Sequence, residues 1–432
     1  MGEDIMDDQQ YQDPTQAPTP ASRPPALSGL SGNEMYCAAL LGYRPGNIIV
    51  GNSVFSMGIT GGLHSEFKAA IGGELTSITS MIQEGRKRAF GRVESEVAQY
   101  QGCGVTGVTN DLLFQGRHIE FLSIGSALHR SDGQVTNGAF TSSADGQELY
   151  CMMDAGFAPI SFVFGNVAYA IGIGRNFFGE LRTLAKGEVT QYSNVFNTTR
   201  QRAIERIANE AREAGANSVV GIRTSIQPFE TPEVQEMVMT GTAVNHQAVS
   251  QYGIGQRSIG GVVTSDLTAE EMWNVVNMGY MPIQLVLGTS VYSLGVIGGI
   301  RATLKNMIRG EITTETQMIY GAREQSLKRI MDQAQQVGAD DVLGIKTYVY
   351  ELGTNLLEFL AIGTAVKRID GLTTRSQQLP PQAIIRDKDT FVNTAQTDIS
   401  TALNNQQQNP SPQTPPSTNP QQAQPQQQQR PW

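Results

Sequence analysis

The sequence predicts an α+β fold made of three tandem copies of one two-layer β-α-α-β-β unit. The first observation is a long charged segment with helical spacing that runs into Gly215-Ala216-Asn217 and then the apolar residues 218–222. The same pattern recurs 114 residues earlier and 123 residues later. The second observation is a pair of β-rich segments that closes each copy. Self-similarity of this kind indicates a repeat architecture, in which neighbouring units complete one another's cores.

Each copy begins with a short helical pattern that ends at a glycine. An aromatic residue follows the glycine directly, and a proline stands two positions after the aromatic residue. Glycine terminates a helix readily because it tolerates the left-handed backbone, and proline prevents the helix from continuing. The three helix-ending glycines are Gly42, Gly156 and Gly279. A β-rich strand follows in each copy, with a glycine and then an aromatic residue four positions later: Gly51 and Phe55, Gly165 and Tyr169, Gly288 and Tyr292.

Two helices and two strands complete each predicted unit. A glycine-rich turn leads into a first helix that ends near 73–74, 187–188 or 310–311, and a longer second helix follows. In the second copy, the long helix has an apolar stripe at helical spacing, from Phe196 to Ala211, and it stops at Gly215. The closing strands are predicted at 104–114 with 118–128, 218–226 with 234–244, and 342–350 with 356–366.

The predicted units and connecting segments differ in composition. The linkers contain much glycine, serine and threonine and are expected to be mobile, and the two ends, rich in glutamine and proline, are expected to be disordered. The ranges are a disordered arm at 1–33, repeats at 34–130, 148–246 and 271–368, linkers at 131–147 and 247–270, and a tail at 369–432.

One segment of the tail departs from its low-complexity surroundings. Phe391, Ala395, Ile399 and Leu403 recur every four residues within 387–403. Two interpretations stay open. The segment is either an amphipathic helix that docks on the assembly or on a protein partner, or a transient helix, because isolated helices of this length are marginal in water.

The closing strands have apolar residues on both faces. Leu360 and Ile362 point one way, whereas Phe359 and Ala361 point the other way. The helices of one unit cover only one face of its sheet, so a sister repeat of this chain or of a second copy is expected to cover the other. The sequence therefore predicts self-association through sheet faces.

Composition narrows the classes of function. The net charge of −9 argues against nucleic-acid binding, which requires a basic surface. Three cysteines without CxxC spacing favour a reducing compartment, and hence a cytoplasmic location. The acidic N-terminus is not a secretory signal. Two uncharged runs, 155–174 and 272–300, are long enough to span a membrane, but their glycine, proline and polar residues favour strand, turn and helix instead.

Four polar positions are kept in all three repeats, and they are the candidate site residues. The arginine of the long helix is the most informative because it lies on the apolar stripe, where an unpaired charge would cost many kcal/mol. We expect a glutamate from the other kept positions to pair with it, either after the first helix or on the last strand. The pair is interpreted as a structural ion pair that fixes domain packing, with a ligand site as the alternative. The positions are Lys68, Arg182 and Lys305; Glu74, Glu188 and Glu311; Arg86, Arg200 and Arg323; and Glu120, Glu236 and Glu358.

The sequence offers no shared set of metal ligands or catalytic groups. Cys37 and Cys151 are equivalent, but Asn274 takes that position in the third repeat. The four histidines share no spacing that would build a zinc or copper site in every repeat. The glycine-rich turns lack the Gly-Lys-Ser/Thr of a phosphate-binding loop, so tight packing of helix on strand is favoured there.

These patterns resemble the YbjQ family, also called the putative heavy-metal-binding domain. The segment Gly215-Ala-Asn-Ser-Val-Val-Gly-Ile-Arg223 carries the resemblance, and Gly338-Ala-Asp-Asp-Val-Leu-Gly-Ile-Lys346 repeats it. The resemblance is closest over 164–244 and extends to all three repeats. It implies a dodecin-like β-α-β-β unit that assembles into rings, which are pentamers for single-domain members. Three units per chain do not divide into five, so a ring here must close differently.

The first functional interpretation is a non-enzymatic cytoplasmic assembly or scaffold protein. The second is a metal- or small-anion-binding protein whose sites lie at domain interfaces, built from the kept arginine, lysine and glutamate positions. An enzyme is the third. The sequence assigns no cofactor.

Overall fold

The computed structural model describes residues 25–56, 73–115, 118–170, 187–229, 231–293, 313–352 and 356–385. The first helix that the sequence predicts in each repeat lies outside these residues, as does the predicted helix at 387–403. The remaining elements form three α+β units, so the predicted fold class is confirmed.

A short helix opens each repeat and a long helix lies on its sheet. The helices are α1 (Gly32–Leu40), α2 (Thr76–Gln99), α3 (Gly146–Asp154), α4 (Thr190–Glu213), α5 (Gln247–Gln251), α6 (Ala269–Asn277), α7 (Thr313–Val337) and α8 (Pro381–Ile384). Two 3₁₀ turns follow α5, at Ile254–Arg257 and Ile259–Gly261.

Each repeat contributes three long strands. The strands are β1 (Tyr43–Ser56), β2 (Gly104–Gln115), β3 (His118–Arg130), β4 (Phe140–Thr141), β5 (Ala158–Ala170), β6 (Gly187–Glu188), β7 (Ser218–Phe229), β8 (Thr231–Asn245), β9 (Val263–Thr264), β10 (Tyr280–Ser293), β11 (Asp341–Glu351) and β12 (Leu356–Arg368). The sheet orders are β1-β3-β2-β4, β5-β8-β7-β9 and β11-β12-β10-β6. The long strands pair antiparallel, whereas β4 joins β2 and β9 joins β7 in parallel.

The short helices begin and end at matching signals. Ser31, Asp145 and Thr268 each cap one of them, and a glutamate three residues later completes a capping box. The glycines predicted to end these helices have positive φ values, from 79° at Gly42 to 94° at Gly156. Each helix therefore ends in the left-handed backbone conformation, which glycine adopts at little energetic cost because it has no Cβ atom.

A glycine in the first long strand lets the long helix lie close to the sheet. A Cβ atom at Gly165 would come within 2.3 Å of the Ala203 carbonyl oxygen. A Cβ atom at Gly51 would lie 2.1 Å from the Ala89 carbonyl oxygen, and one at Gly288 would lie 2.1 Å from the Ser326 carbonyl oxygen. A Cβ atom does not approach a non-bonded carbonyl oxygen this closely, so glycine sets the separation between the two layers in all three repeats.

The linkers are built into the sheets, which corrects their predicted mobility. Thr141 and Thr264 belong to β4 and β9 and are fully or almost fully buried. The Thr141 hydroxyl accepts a hydrogen bond from the Phe162 amide at 2.8 Å, and Thr264 does the same for Leu285 at 2.9 Å. Each linker thus extends the sheet of one repeat and also contacts the first strand of the next.

The ordered region extends beyond the predicted repeats at both ends. Residues 25–31 precede α1, and the Leu27 carbonyl accepts a hydrogen bond from the Ile48 amide at 2.7 Å. After β12, Leu379 and Ala383 are buried and the Ser376 hydroxyl donates to the Asp154 carboxylate at 2.7 Å. The predicted disordered ends are therefore too long, because the segment before α1 hydrogen-bonds to β1 and because Leu379 and Ala383 pack into a buried cluster with residues of α1 and α3.

The second face of an interior sheet is covered by the long helix of the preceding repeat. Phe196 and Ile204 of α4 share one buried cluster with Leu287, Leu360 and Ile362 of the third repeat. The expected cover by a sister repeat is thus a helix lying on a sheet, rather than a sheet lying on a sheet. Among the described residues, no helix combines the length and apolar character needed to cross a bilayer.

Candidate functional site: the joint between repeats

The contact between the long helix of one repeat and the sheet of the next is called the inter-repeat joint here. Its first copy contains Arg86 of α2 and Glu236 of β8. The Arg86 Nη2 atom donates to both carboxylate oxygens of Glu236, at 2.9 and 3.1 Å, and Nε donates to Oε1 at 3.2 Å. Arg86 is 1% exposed because it lies on the apolar stripe between Ile82 and Ala89. Its Nη1 atom also donates to Asn110 of its own repeat.

The second copy of the joint repeats this arrangement between α4 and β12. Arg200 Nη2 donates to Glu358 Oε2 at 2.9 Å, and Nη1 donates to Glu358 Oε1. Nη1 also donates to the Thr289 hydroxyl at 2.7 Å, and Nη2 to the Tyr169 hydroxyl at 3.3 Å. Both charged side chains are fully buried.

The buried charges stabilise each other. Burial by itself opposes the charged form of Arg200, but the Glu358 carboxylate and the Tyr169 hydroxyl together outweigh it and raise the pKa of the guanidinium above its ordinary value. Two parallel N–H···O contacts suit the planar guanidinium and the carboxylate. Since water cannot replace either partner, loss of one leaves an uncompensated charge in the interior. The arrangement therefore fixes one repeat on the next.

Backbone hydrogen bonds recur beside the ion pair. The Leu75 amide donates to the Ala168 carbonyl at 2.8 Å, and the Ala168 amide donates to the Thr79 hydroxyl at 2.9 Å. In the second joint, the Val189 amide donates to the Val291 carbonyl at 2.8 Å, and the Val291 amide donates to the Ser193 hydroxyl at 2.9 Å. The start of α2 is thus attached to β5, and the start of α4 to β10.

A second ion pair crosses each joint. Glu74 lies 2.8 Å from Arg202 and 2.6 Å from Arg206, both on the long helix of the next repeat. Its equivalent Glu188 lies 2.7 Å from Arg329. Sequence reasoning singled out the glutamates but missed these arginines. The repeat pattern could have revealed one of them, because Arg92, Arg206 and Arg329 occupy equivalent positions in the three long helices.

The structure brings some of the candidate residues together and leaves others apart. Arg86 meets Glu236 and Arg200 meets Glu358, so the strand glutamate is the partner of the stripe arginine in both joints. Arg323 is exposed on α7, and Glu120 is half-buried on β3, where it accepts a hydrogen bond from the Asn52 side chain at 3.2 Å. The remaining candidates, Lys68, Arg182, Lys305 and Glu311, lie outside the described residues.

A cavity of about 260 Å³ lies where the second repeat meets the third repeat and both linkers. Two cationic side chains line it. Arg223 pairs with Glu148 at 2.7 Å, and Lys346 pairs with Asp266 at 3.2 Å. The first pair joins β7 to α3, and the second joins β11 to the segment just before α6. Ion pairs therefore connect the walls of the cavity.

Metal-ligating side chains do not cluster in the part of the chain that the structure describes. The three cysteines are buried, and none of them forms a disulfide. Burial raises the pKa of Cys37 to about 12 and that of Cys103 to about 11, so these two thiols stay protonated at neutral pH. Protonated thiols are weak metal ligands and weak nucleophiles.

These units define a class of protein: a tandem-repeat α+β chain whose repeats are connected by one recurring joint with a buried ion pair. A family model described as putative heavy-metal-binding, YbjQ, matches residues 44–127, 158–247 and 276–369, together more than half of the chain. The chain belongs to the YbjQ family, which confirms the resemblance drawn from its sequence.

Relatives of several lengths match the chain. An encapsulin nanocompartment protein of Mycobacterium tuberculosis is 31% identical over 234 residues, which are 53% of this chain and 86% of the relative. A UPF0145 protein of Lacticaseibacillus casei is 35% identical over 94 residues, 22% of this chain and 87% of the relative. A UPF0145 protein of Saccharolobus islandicus is 39% identical over 83 residues, which are 19% of this chain and 73% of the relative. The two UPF0145 proteins are thus similar to about one repeat.

Proposed function

We propose that this chain is a non-enzymatic assembly protein, a scaffold subunit that associates with further copies of itself. The observation that carries the proposal is the inter-repeat joint, which appears twice with equivalent residues in equivalent roles. A joint that connects identical modules in series is a means of assembly rather than of catalysis. The mycobacterial relative, whose name places it in a nanocompartment, supports the same class of function.

The assembly acts in the cytoplasm under this proposal. Three cysteines that are all free, buried thiols are consistent with a reducing compartment. The tail beyond residue 385 is proposed to recruit a protein partner.

Self-association is measured by mass photometry and sedimentation velocity of the purified full chain over a range of concentrations. The proposal predicts species at multiples of the 46.7 kDa chain mass, with a distribution that shifts upward as concentration rises. A chain that remains at 46.7 kDa at every concentration would refute it.

The cavity between the second and third repeats favours a second candidate function, the binding of a small anion or a metal at a domain interface. Its volume of about 260 Å³ is close to the lower range of ligand sites, and Arg223 and Lys346 lie at its wall. Thermal-shift measurements with inorganic phosphate, carboxylates and divalent metals, with elemental analysis of the purified chain, test this candidate. A bound metal at stoichiometric amount, or a saturable shift abolished by Arg223→Gln, would favour it over a purely structural role.

A further inference from the structure

The two ends of the repeat array carry the two halves of a third inter-repeat joint. Within the residues that the structure describes, no repeat lies before the first one and none lies after the third. We propose that these halves meet between chains: the α7 face around Arg323 of one copy packs on the β1–β3 face around Glu120 of the next. This inference rests on the proposed assembly function and specifies the surface through which assembly occurs.

Among the described residues, the outer β1–β3 face of the first repeat exposes apolar side chains whose equivalents in the other two repeats are buried. Val54 is 60% exposed, whereas its equivalents Ala168 and Val291 are fully buried under the helix of the preceding repeat. Val50 is 48% exposed, and its equivalents Phe164 and Leu287 are buried. The register of the sheet places Val50 beside Ile124, and Val54 beside Glu120. An apolar strip with a central carboxylate is what the interior sheets offer to their preceding helices.

The α7 face shows the complementary pattern. Ile319 is 38% exposed, whereas the equivalent Phe196 and Ile82 are fully buried in the joints. Arg323 is exposed, whereas Arg200 and Arg86 are buried against glutamate. The two helices equivalent to α7 both form joints through these positions. The exposed apolar surface beside Arg323 therefore indicates one half of a further joint.

The residues that form backbone hydrogen bonds in the two interior joints also have counterparts at the ends. Thr316 of α7 is exposed and takes the position of Thr79 and Ser193, whose hydroxyls accept the bond from the next sheet. The matching donor in the next copy is the amide of Val54. Charge, apolar surface and hydrogen-bond positions therefore agree in one orientation of the second copy.

The segment before α1 occupies the place of a linker and strengthens the assignment. The Leu27 carbonyl accepts a hydrogen bond from the Ile48 amide. In the interior repeats, the hydroxyls of the equivalent Thr141 and Thr264 accept from the equivalent amides of Phe162 and Leu285. In the interior repeats, this same segment also pairs in parallel with the preceding repeat, as Phe140 and Thr141 do with Gly104 and Val105.

The third repeat, at the other end of the array, has the strand with which this segment would pair. At the start of the array, Leu27 is 76% exposed. Within the described part of the third repeat, β11 lies at the sheet edge, where Asp341 and Val342 are the equivalents of Gly104 and Val105. We assign residues 26–27 of the next copy as the parallel strand on 341–342. The contact is heterologous, so its repetition produces a ring if the rotation closes and a filament if it does not.

Charge reversal tests the proposed joint on the full chain. Arg323→Glu and Glu120→Arg each place like charges across it, and each alone is predicted to abolish the species above 46.7 kDa that are expected of the wild type. Mixing the two variants restores opposite charges at every contact, so association returns in the mixture and in the double variant Arg323→Glu/Glu120→Arg. Lys328→Glu is the matched control, because it makes the same charge change on an exposed position of α7 whose equivalent Glu205 is exposed as well.

The outcomes separate this inference from the proposed function. If the wild type stays at 46.7 kDa, the assembly function fails, and the joint fails with it. If the wild type associates but both single reversals associate equally well, the assembly function stands and this joint is refuted. Loss in both singles, with recovery in the mixture and normal behaviour of Lys328→Glu, supports the joint. Unchanged melting temperatures of the singles show that the repeats themselves are intact.

Discussion

Arg200 is a fully buried cation whose charge is tolerated because Glu358 and two hydroxyl groups surround it. The Coulomb attraction in such a pair is offset by the cost of removing both ions from water. The pair is therefore best understood as a device that fixes the position of one repeat on the next, since any other relative position would leave a buried charge unpaired.

Arg200→Met is predicted to lower the free energy of unfolding by about 3–5 kcal/mol, because it leaves the Glu358 carboxylate buried without a partner. Arg200→Met/Glu358→Leu is predicted to recover a large part of this loss. Arg202→Met, which removes a half-exposed guanidinium from the same helix, should cost about 1 kcal/mol or less. Urea denaturation measures all three. Equal losses for Arg200→Met and Arg202→Met would contradict the assignment.

His246 is a buried histidine whose neutral form is built into the fold. Its Nδ1 atom accepts from the Ala248 amide and its Nε2 atom contacts the Ala155 carbonyl, both at 3.1 Å. Burial lowers the pKa of His246, and the hydrogen bond to Ala155 opposes that shift only in part. The unfolded chain consequently binds a proton more readily than the folded chain.

Stability contributed by neutral His246 is present above the unfolded pKa, about 6.5, and is lost as pH falls from there towards the lower folded pKa. His246→Asn keeps a side chain able to cap α5 but does not titrate in this range. Between pH 7 and pH 5, the wild type should therefore lose more of its unfolding free energy than His246→Asn does, by up to about 1.4 kcal/mol per pH unit. Parallel pH profiles of the two proteins would contradict the prediction.

At this scale, the sequence predicted a buried arginine in every repeat, because Arg86 and its equivalents interrupt an apolar stripe. Arg86 and Arg200 are buried, whereas Arg323 is exposed, because no sheet of the chain's described residues covers its face of α7. It did not decide between the two glutamate positions as the partner of that arginine. Each repeat contains both glutamates, and the spacing within one repeat carries no information on which neighbour it contacts. The arginines that pair with Glu74 were also missed, because an exposed helical arginine is ordinary in composition.

The separation between the long helix and the sheet is an element-scale property that depends on one glycine per repeat. A methyl group at Gly51, Gly165 or Gly288 would overlap a helix carbonyl. These glycines were visible in the sequence as the recurring glycine that precedes an aromatic residue by four positions. Their role in close packing became clear only from the distances in the structure.

Gly51→Ala is predicted to destabilise the first repeat by about 1–3 kcal/mol, since the helix must shift to admit the methyl group. Gly91→Ala lies on α2, where a Cβ meets nothing within 4 Å, and is predicted to stabilise the protein by about 0.5–1 kcal/mol through helix propensity. Differential scanning calorimetry of the pair measures the contrast. A neutral or stabilising Gly51→Ala would refute the close approach.

The linkers show where local sequence information ends. Their glycine, serine and threonine content is typical of mobile connections, yet Thr141 and Thr264 are buried strand residues. What immobilises them is pairing with strands more than thirty residues away, at Val105 and Val219. Composition reports the intrinsic flexibility of a segment, whereas its order in the fold depends on such distant partners.

At the scale of the whole molecule, the three repeats form an open series with unlike ends. The helix-bearing end exposes Arg323 and Ile319, and the sheet-bearing end exposes Val54 and Val50. The two equivalent joints within the described residues leave one helix face and one sheet face exposed, and we propose that these faces pair between copies. Sequence reasoning predicted self-association from the apolar faces of the strands, while the helix-on-sheet geometry of the contact required the structure.

A cryo-electron microscopy structure of the assembled chain tests the proposed joint most directly. We expect the transformation from the third repeat of one copy to the first repeat of the next to match the two transformations inside the chain. We also expect Arg323 and Glu120 of adjacent copies to form a bidentate pair. An assembly held through other surfaces, or a single chain whose third repeat folds back on its own first repeat, would contradict it.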